Sequence, residues 1–346
     1  MSKYTFGTLP DGNEVSLFLL KNSRGYTAEI LNYGGTIRSL NVPDRNGKII
    51  DVVLGFELLE EYVADQTYIG ALVGRYANRI ANGTIEIGGE HFQLSINNGK
   101  NCLHGGFNGF NKKLWEVTGH TTNSLQLSYT SPDGEEGFPG NLTVKVAYTL
   151  TEKNELKIEY RSTTDKPTHI NFTQHSYFNL SPASDMTIAN HFLQIHSDSY
   201  LPNNEQSLPT GSFETVSQTP FSFVELTKIG DALASNDIQM KIDAGINHSY
   251  VLKTQNSNVL KHAVRLVSGE SGITMDTFTT EPGIHIYCAN YFDGQVVGKS
   301  GKPYAKYAGI CLETQHFADS PHQPHFPSTL LLPGQEFTST TLYAFR

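Results

Sequence analysis

The sequence predicts an all-β fold, a large antiparallel β-sandwich with few short helices, and three observations carry that prediction. Two neighbouring stretches alternate apolar and polar residues with the period of a strand. Leu142, Val144, Val146, Tyr148 and Leu150 interleave with Thr143, Lys145, Ala147 and Thr149; Leu156, Ile158 and Tyr160 interleave with Lys157, Glu159 and Arg161. A polar turn, Glu152 to Asn154, joins them, so the pair reads as two antiparallel strands with one buried face. Charged residues are only 17% and glycines number 31, which suits strands joined by turns better than helices rich in Glu and Lys. Tyr (17) and Phe (19) are abundant, and both favour strands.

The other elements follow in chain order. Residues 1–60 read as short strands and turns, with Gly34-Gly35 and the run from Asp44 to Gly47 as turn signals. Residues 58–63 suit one short helical turn. Ile85 and Ile87, then Gly88-Gly89, then Phe92 and Leu94 form a hairpin pattern. Ile273, Met275 and Thr277, and then Ile284, Ile286 and Cys288, suggest further strands. Residues 227–234 are the only other expected helix. With no repeat and no Pro/Ser-rich linker, residues 1–346 are expected to form one domain.

Composition excludes several classes of function. A net charge of −9 argues against nucleic-acid binding, which needs a basic stripe. The opening MSKYTFGTLPDG has no apolar run of signal-peptide length, and no stretch is apolar enough to span a membrane. The cysteines, Cys102, Cys288 and Cys311, are odd in number and lack a CxxC spacing. They fit free thiols in a reducing cytoplasm rather than a disulfide framework or a zinc site.

The stretch NFTQHSYFNL, residues 171–180, stands out for chemistry. If it is extended, Thr173, His175, Tyr177 and Asn179 share one face, and Gln174 points the other way with Phe172, Ser176, Phe178 and Leu180. An imidazole among hydroxyls and amides suits the wall of a sugar pocket. This stretch resembles the signature of the aldose 1-epimerases (galactose mutarotases), usually Asn-x-Thr-Asn-His-x-Tyr-Phe-Asn-Leu. Four more blocks agree in the same order: GRYANRIAN (74–82), LHGG (103–106), GINH (245–248) and LETQ (312–315). The likeness runs from Gly34 to Gly334.

The resemblance implies a galactose mutarotase-like supersandwich that acts on free aldoses such as galactose and glucose. No metal or other cofactor is expected, and the protein is expected to be a monomer or homodimer. Interconverting anomers needs a base at the C1 hydroxyl and an acid at the ring oxygen. By resemblance Glu313 is the base, His175 the acid, His104 a positioning group at the ring oxygen, and Arg79 and Asn78 sugar ligands. An unperturbed imidazole, with a pKa near 6.5, suits proton exchange at neutral pH. From pattern alone, Glu313 reads equally as an edge-strand surface carboxylate, and Arg79 as a surface ion-pair partner. Gly105-Gly106 would let the backbone pass close to the ligand.

Two positions depart from the family pattern. Asn247 stands where the family usually has a sugar-binding Asp, so a charge-assisted bond is lost and a weaker or altered hold on the sugar is expected. Gln174 replaces an Asn, which implies a packing adjustment. His316, His322 and His325 lie in a Pro-rich loop and are not expected to bind metal. DGEEGFPG (133–140) lacks the alternating ligands of a calcium loop. Two rival readings remain: a hexose-6-phosphate 1-epimerase, which would need more basic residues at the far end of the sugar, and a carbohydrate-binding protein without turnover.

Overall fold

The computed structural model describes residues 2–181, 187–253 and 259–346. Among them, the largest sheet is antiparallel with nine strands. Their order is Glu116–His120, Ser124–Ser131, Leu142–Leu150, Glu155–Thr164, Phe337–Phe345, Thr274–Thr279, Lys261–Ser268, His191–Ile195 and Thr227–Lys228. The alternating hairpin of the sequence lies within it: Val146 sits opposite Tyr160 and Tyr148 opposite Ile158, all four buried. A six-stranded antiparallel sheet runs Tyr177–Phe178, Ile310–Gln315, Gly283–Tyr287, Asn247–Val251, Ser199–Tyr200 and Glu214–Thr215.

The core lies between these two sheets. Ile284, Ile286, Ile310 and Leu312 pack in one cluster with Ile158, Leu266, Met275 and Tyr343. Each such side chain contributes about 1.5–3 kcal/mol on burial. The Tyr343 hydroxyl donates to the Leu312 carbonyl at 3.2 Å, linking the sheets. A separate five-stranded antiparallel sheet, from Ser2–Thr8 to Ile49–Asp51, holds the first strands. In the hairpin Thr84–Ile87 and Glu90–Gln93, Gly88 and Gly89 have φ of 61° and 86°, the left-handed turn that matches strand twist.

Helix among the described residues is limited to Leu59–Ala64, Ile229–Leu233 and Ile238–Ile242, besides short 3₁₀ turns. The first lies where residues 58–63 indicated. The second starts later than expected over 227–234, because Thr227 and Lys228 pair with Leu193 and Phe192 as a sheet edge. The third was not expected from sequence. Its five residues are too few to display a helical period, and only the cap announces it: the Asp237 carboxylate accepts from the Gln239 N–H at 2.8 Å. The three cysteines are buried free thiols. No described helix is long and apolar enough to cross a membrane.

Strand Ile310–Gln315 is buried on both faces. Ile310 and Leu312 enter the core, so Cys311, Glu313 and Gln315 face the other way. Cross-strand register sets His285 beside Glu313, Tyr287 beside Cys311, and Asn247 beside Tyr287. That second face is the wall of a cleft.

Candidate active site

The cleft encloses about 200 Å³ and is lined by His175, His104, Asn78, Arg79, Asn247 and Glu313. All six residues expected from sequence to act at a site are therefore in one place. Residues 171–180 do not form one strand. Thr173–Gln174 pairs with Leu72–Val73, while Tyr177–Phe178 pairs with Ile310 and Cys311. His175 sits at the change of partner, and its backbone is held on both sides. Its N–H donates to the Ala71 carbonyl (2.8 Å), and its carbonyl accepts from the Gly70 N–H (3.0 Å). Gln174 does point away from His175, bonding the Tyr148 hydroxyl and the Gly70 carbonyl. The alternation is only partly kept: Tyr177 lines the cleft, whereas the Asn179 amide donates to the Ala308 carbonyl.

His175 Nε2 lies 3.6 Å from Glu313 Oε1, and both residues are buried. Glu313 Oε2 is buried with no protein hydrogen-bond partner. Burial penalises the charged form of each group. It pushes the Glu313 carboxyl up to about 8, partly offset by the Arg79 guanidinium, and the His175 imidazole down to about 4. The ordinary imidazole value assumed from sequence is thus displaced by desolvation. Between these values the pair holds one proton.

His104 and Asn78 both have left-handed backbones, with φ of 52° and 63°. They clasp each other: His104 N–H donates to the Asn78 carbonyl (3.1 Å), and Asn78 N–H donates to His104 Nδ1 (3.2 Å). With Nδ1 accepting, the ring proton of neutral His104 belongs on Nε2, as a donor. Burial, with His175, Arg79 and His285 nearby, holds the His104 pKa well below its usual range. His104, His175 and Glu313 offer donor atoms within 4.8 Å of one another, spacing that could hold a metal. The Asn78 N–H opposes that use, because a protonated Nε2 cannot ligate. Arg79 Nε donates to Asn98 Oδ1 at 3.0 Å, and Asn78 Oδ1 accepts from the Arg79 N–H at 2.9 Å. Asn78 therefore caps the backbone of Arg79, and Asn98 holds the Arg79 guanidinium.

The charge missing at Asn247 lies one side chain behind it. Asn247 Nδ2 donates to the fully buried Asp243 (2.9 Å), and Asn247 Oδ1 contacts His285 Nε2 at 2.8 Å. Asp243 also accepts from Ser207, Tyr291 and Asn203. Asn247→Asp would set two carboxylates against each other, so one must take up a proton. The variant is expected to lose about 1–3 kcal/mol of stability at neutral pH. The loss should shrink in acid, where a shared proton restores the bond, and KM should rise. Thermal melts at both pH values, with KM measured alongside, check this; a wild-type melt at neutral pH would refute it.

Several cleft residues were not identified from sequence: His285, Tyr287, Tyr291, Tyr68 and Asn98. The signal for the first two was present, since alternation at Ile284 and Ile286 puts His285 and Tyr287 on the opposite face. Gly105 and Gly106, expected to bring backbone close to a ligand, are not among the residues that line the cleft. A Cβ at Gly105 would strike the Gly74 carbonyl, and one at Gly106 the Glu136 carboxylate, so close packing of loops requires them. Arg75 donates to the carbonyls of Ser131, Pro132, Pro139 and Gly140, away from the cleft. His316, His322 and His325 have separate partners, Glu281, Asp319 and the Gly211 carbonyl. In the 133–140 turn, Asp133 caps the Gly140 N–H and pairs with Lys166.

A family model described as aldose 1-epimerase matches residues 16–344. The chain is 42% identical to the galactose mutarotase of Mus musculus, over 100% of this chain and 98% of that one. It is 35% identical to the aldose 1-epimerase of Escherichia coli strain K12, over 97% of this chain and 96% of that one. In structure it resembles the GalM/aldose epimerase homologue from C. elegans, with a TM-score of 0.89 and 32% identity, covering 96% of this chain and 99% of that one. It also resembles the galactose 1-epimerase from Lactobacillus acidophilus NCFM, with a TM-score of 0.87 and 28% identity, covering 100% and 98%.

Proposed function

This chain belongs to the aldose 1-epimerase family, and from that premise we propose which of its residues carry the reaction. The protein is an isomerase that interconverts the α and β anomers of free hexoses such as galactose and glucose. In our reading the reactive form is the minor tautomer of the one-proton pair, in which the proton has passed from Glu313 to His175. Carboxylate Glu313 then takes the proton from the C1 hydroxyl while protonated His175 gives one to the ring oxygen. The C1–O5 bond breaks, the C1–C2 bond turns, and the reverse transfers close the ring on the other face. His104 Nε2–H, Arg79 and Asn247 hold the sugar oxygens. The observation that carries this reading is the pair itself, 3.6 Å apart in a buried cleft.

Burial then has a chemical use. Ring opening moves one proton from imidazolium to sugar and another from sugar to carboxylate, so the open-chain intermediate faces a neutral pair. A desolvated cleft favours that neutral state. In the cyclic complex Arg79, the group that pulls the Glu313 pKa down, supports the carboxylate.

A pH profile follows. Below about 4 the pair holds two protons and has no base; above about 8 it holds none and has no acid. kcat/KM is therefore expected to form a bell with limbs near those values, after subtraction of buffer catalysis. A single limb near the ordinary imidazole value of about 6.5, with none on the alkaline side, would refute the pairing.

Polarimetry on freshly dissolved α-galactose tests the function; sugar binding with no rate above buffer would favour a binding protein instead. Comparing glucose with its 6-phosphate tests the phosphate-sugar alternative. That alternative is disfavoured because Arg79 is the single Lys or Arg among the described residues lining the cleft. The protein is further proposed to work as one domain over residues 1–346, in the cytoplasm, as a monomer or homodimer.

A further inference from the structure

Arg79 pulls the Glu313 pKa down from within the cleft, yet its own segment, Arg79–Ile80, is a strand of two residues. One edge of that strand pairs antiparallel with Cys102–Leu103. A single residue, Asp319, meets the other edge. Its N–H donates to the Arg79 carbonyl at 2.7 Å, and its Oδ1 accepts from the Ala81 N–H at 2.9 Å. A backbone donor and a side-chain acceptor thus supply the two bonds that a neighbouring strand would supply. Aiming both at one segment takes the left-handed backbone of Asp319, with φ of 56°, which Asp adopts more readily than most residues. Asp319 is buried, and His322 Nδ1 lies 2.6 Å from its Oδ1. An ionised carboxylate only accepts, so Nδ1 carries the proton. The bond to Asp319 raises the His322 pKa above its ordinary value, which keeps that proton in place.

Asp319 lies just beyond the strand Ile310–Gln315, which carries Glu313. The residues between are tied to the same segment as Arg79. Asn171 Nδ2 donates to the carbonyls of Ala77 and His316, both at 3.1 Å, and the Tyr76 hydroxyl donates to the Phe317 carbonyl at 3.1 Å. The chain leaving Glu313 is therefore bonded along residues 76–81, and Asp319 is the last point of that seam. We propose that Asp319, held by His322, is a positioning residue that sets the Arg79 guanidinium relative to Glu313 and the sugar. Asp319 does not line the cleft, so it acts through the backbone of residues 79–81. The proposal rests on the epimerase reading, in which Arg79 serves both the carboxylate and the substrate.

The test is polarimetry on α-galactose across pH, beside thermal melts, with Asp319→Gly, Asp319→Asn, Arg79→Met and the double variant Asp319→Gly/Arg79→Met. Glycine keeps the left-handed backbone and its N–H but has no carboxylate, whereas asparagine keeps the acceptor. The Gly variant should lose about tenfold in kcat/KM, the size of one weakened charge-assisted bond, and the Asn variant should regain most of it. Glu313 is faced by His175, His104, Arg79, His285, Tyr177 and Cys311, and of these Arg79 lowers its pKa. A misaimed Arg79 therefore lets the carboxyl titrate higher, so the alkaline limb of the pH profile should move up while the acid limb stays. With Arg79 already replaced by Met, Asp319→Gly should cause no further loss in kcat/KM. If the Gly variant does not fold, His322→Ala at its exposed position decides, with the same limb shift and a smaller loss expected. A folded variant with the wild-type alkaline limb, or losses that multiply with Arg79→Met, overturns the role of Asp319 alone. No turnover by wild type overturns the epimerase reading, and this role with it.

Discussion

Replacing Glu313 by Gln is expected to lower kcat for anomer interconversion by about 10²–10⁴-fold, the share of one positioned proton-transfer group. The amide keeps the size of the carboxyl but cannot take the C1 proton. KM should change little, because the proposed sugar-holding groups, His104, Arg79 and Asn247, are untouched. The fold should survive. Glu313 is buried, and burial already favours its neutral form, so a neutral amide adds no desolvation cost. The melting temperature is expected to stay level or rise. Polarimetry on α-galactose beside a thermal melt separates these effects, and near-normal turnover in a folded variant would remove Glu313 from the mechanism.

His175→Asn should bring a loss of similar size by a different route. The variant has no group that can carry a proton to the ring oxygen at the Nε2 position. It also leaves space among Tyr68, His104, Tyr177 and Tyr287, whose rings lie 5.0 to 6.3 Å from the imidazole. A stability cost of about 1–3 kcal/mol is therefore expected, unlike for Glu313→Gln. The double variant should be little slower than either single one, since a proton pair works as a unit. A double variant whose losses multiply would mean that the two groups act independently.

Much of the fold was legible because strands write their burial into the sequence. The alternation from Leu142 to Leu150 and from Leu156 to Tyr160 became two neighbouring antiparallel strands, as expected. Gly88-Gly89 became a two-residue turn. The helix Ile238–Ile242 was not legible, because five residues carry too little pattern. His285 and Tyr287 were missed at the site although their strand was recognised. Only the core-facing side of that strand announces itself by hydrophobicity; a polar residue on the cleft side looks like one facing solvent. Asp243 carried no signal at all, since its role depends on reaching Asn247, Ser207 and Tyr291 from separate segments.

The amino-acid order alone decided the class of fold, through period-two burial, and it supplied the reacting groups: a carboxylate at 313, imidazoles at 104 and 175, a guanidinium at 79. Only the folded chain decided what those groups are. It brought Cys311 against His175 from 136 residues away, fixed the ring proton of His104 with a backbone N–H, and supplied Asn247 with a charge from Asp243. It also moved the Glu313 and His175 pKa values past each other. The physical reason is that alternation is a local property of a strand, whereas desolvation and hydrogen bonding depend on which distant strands lie side by side.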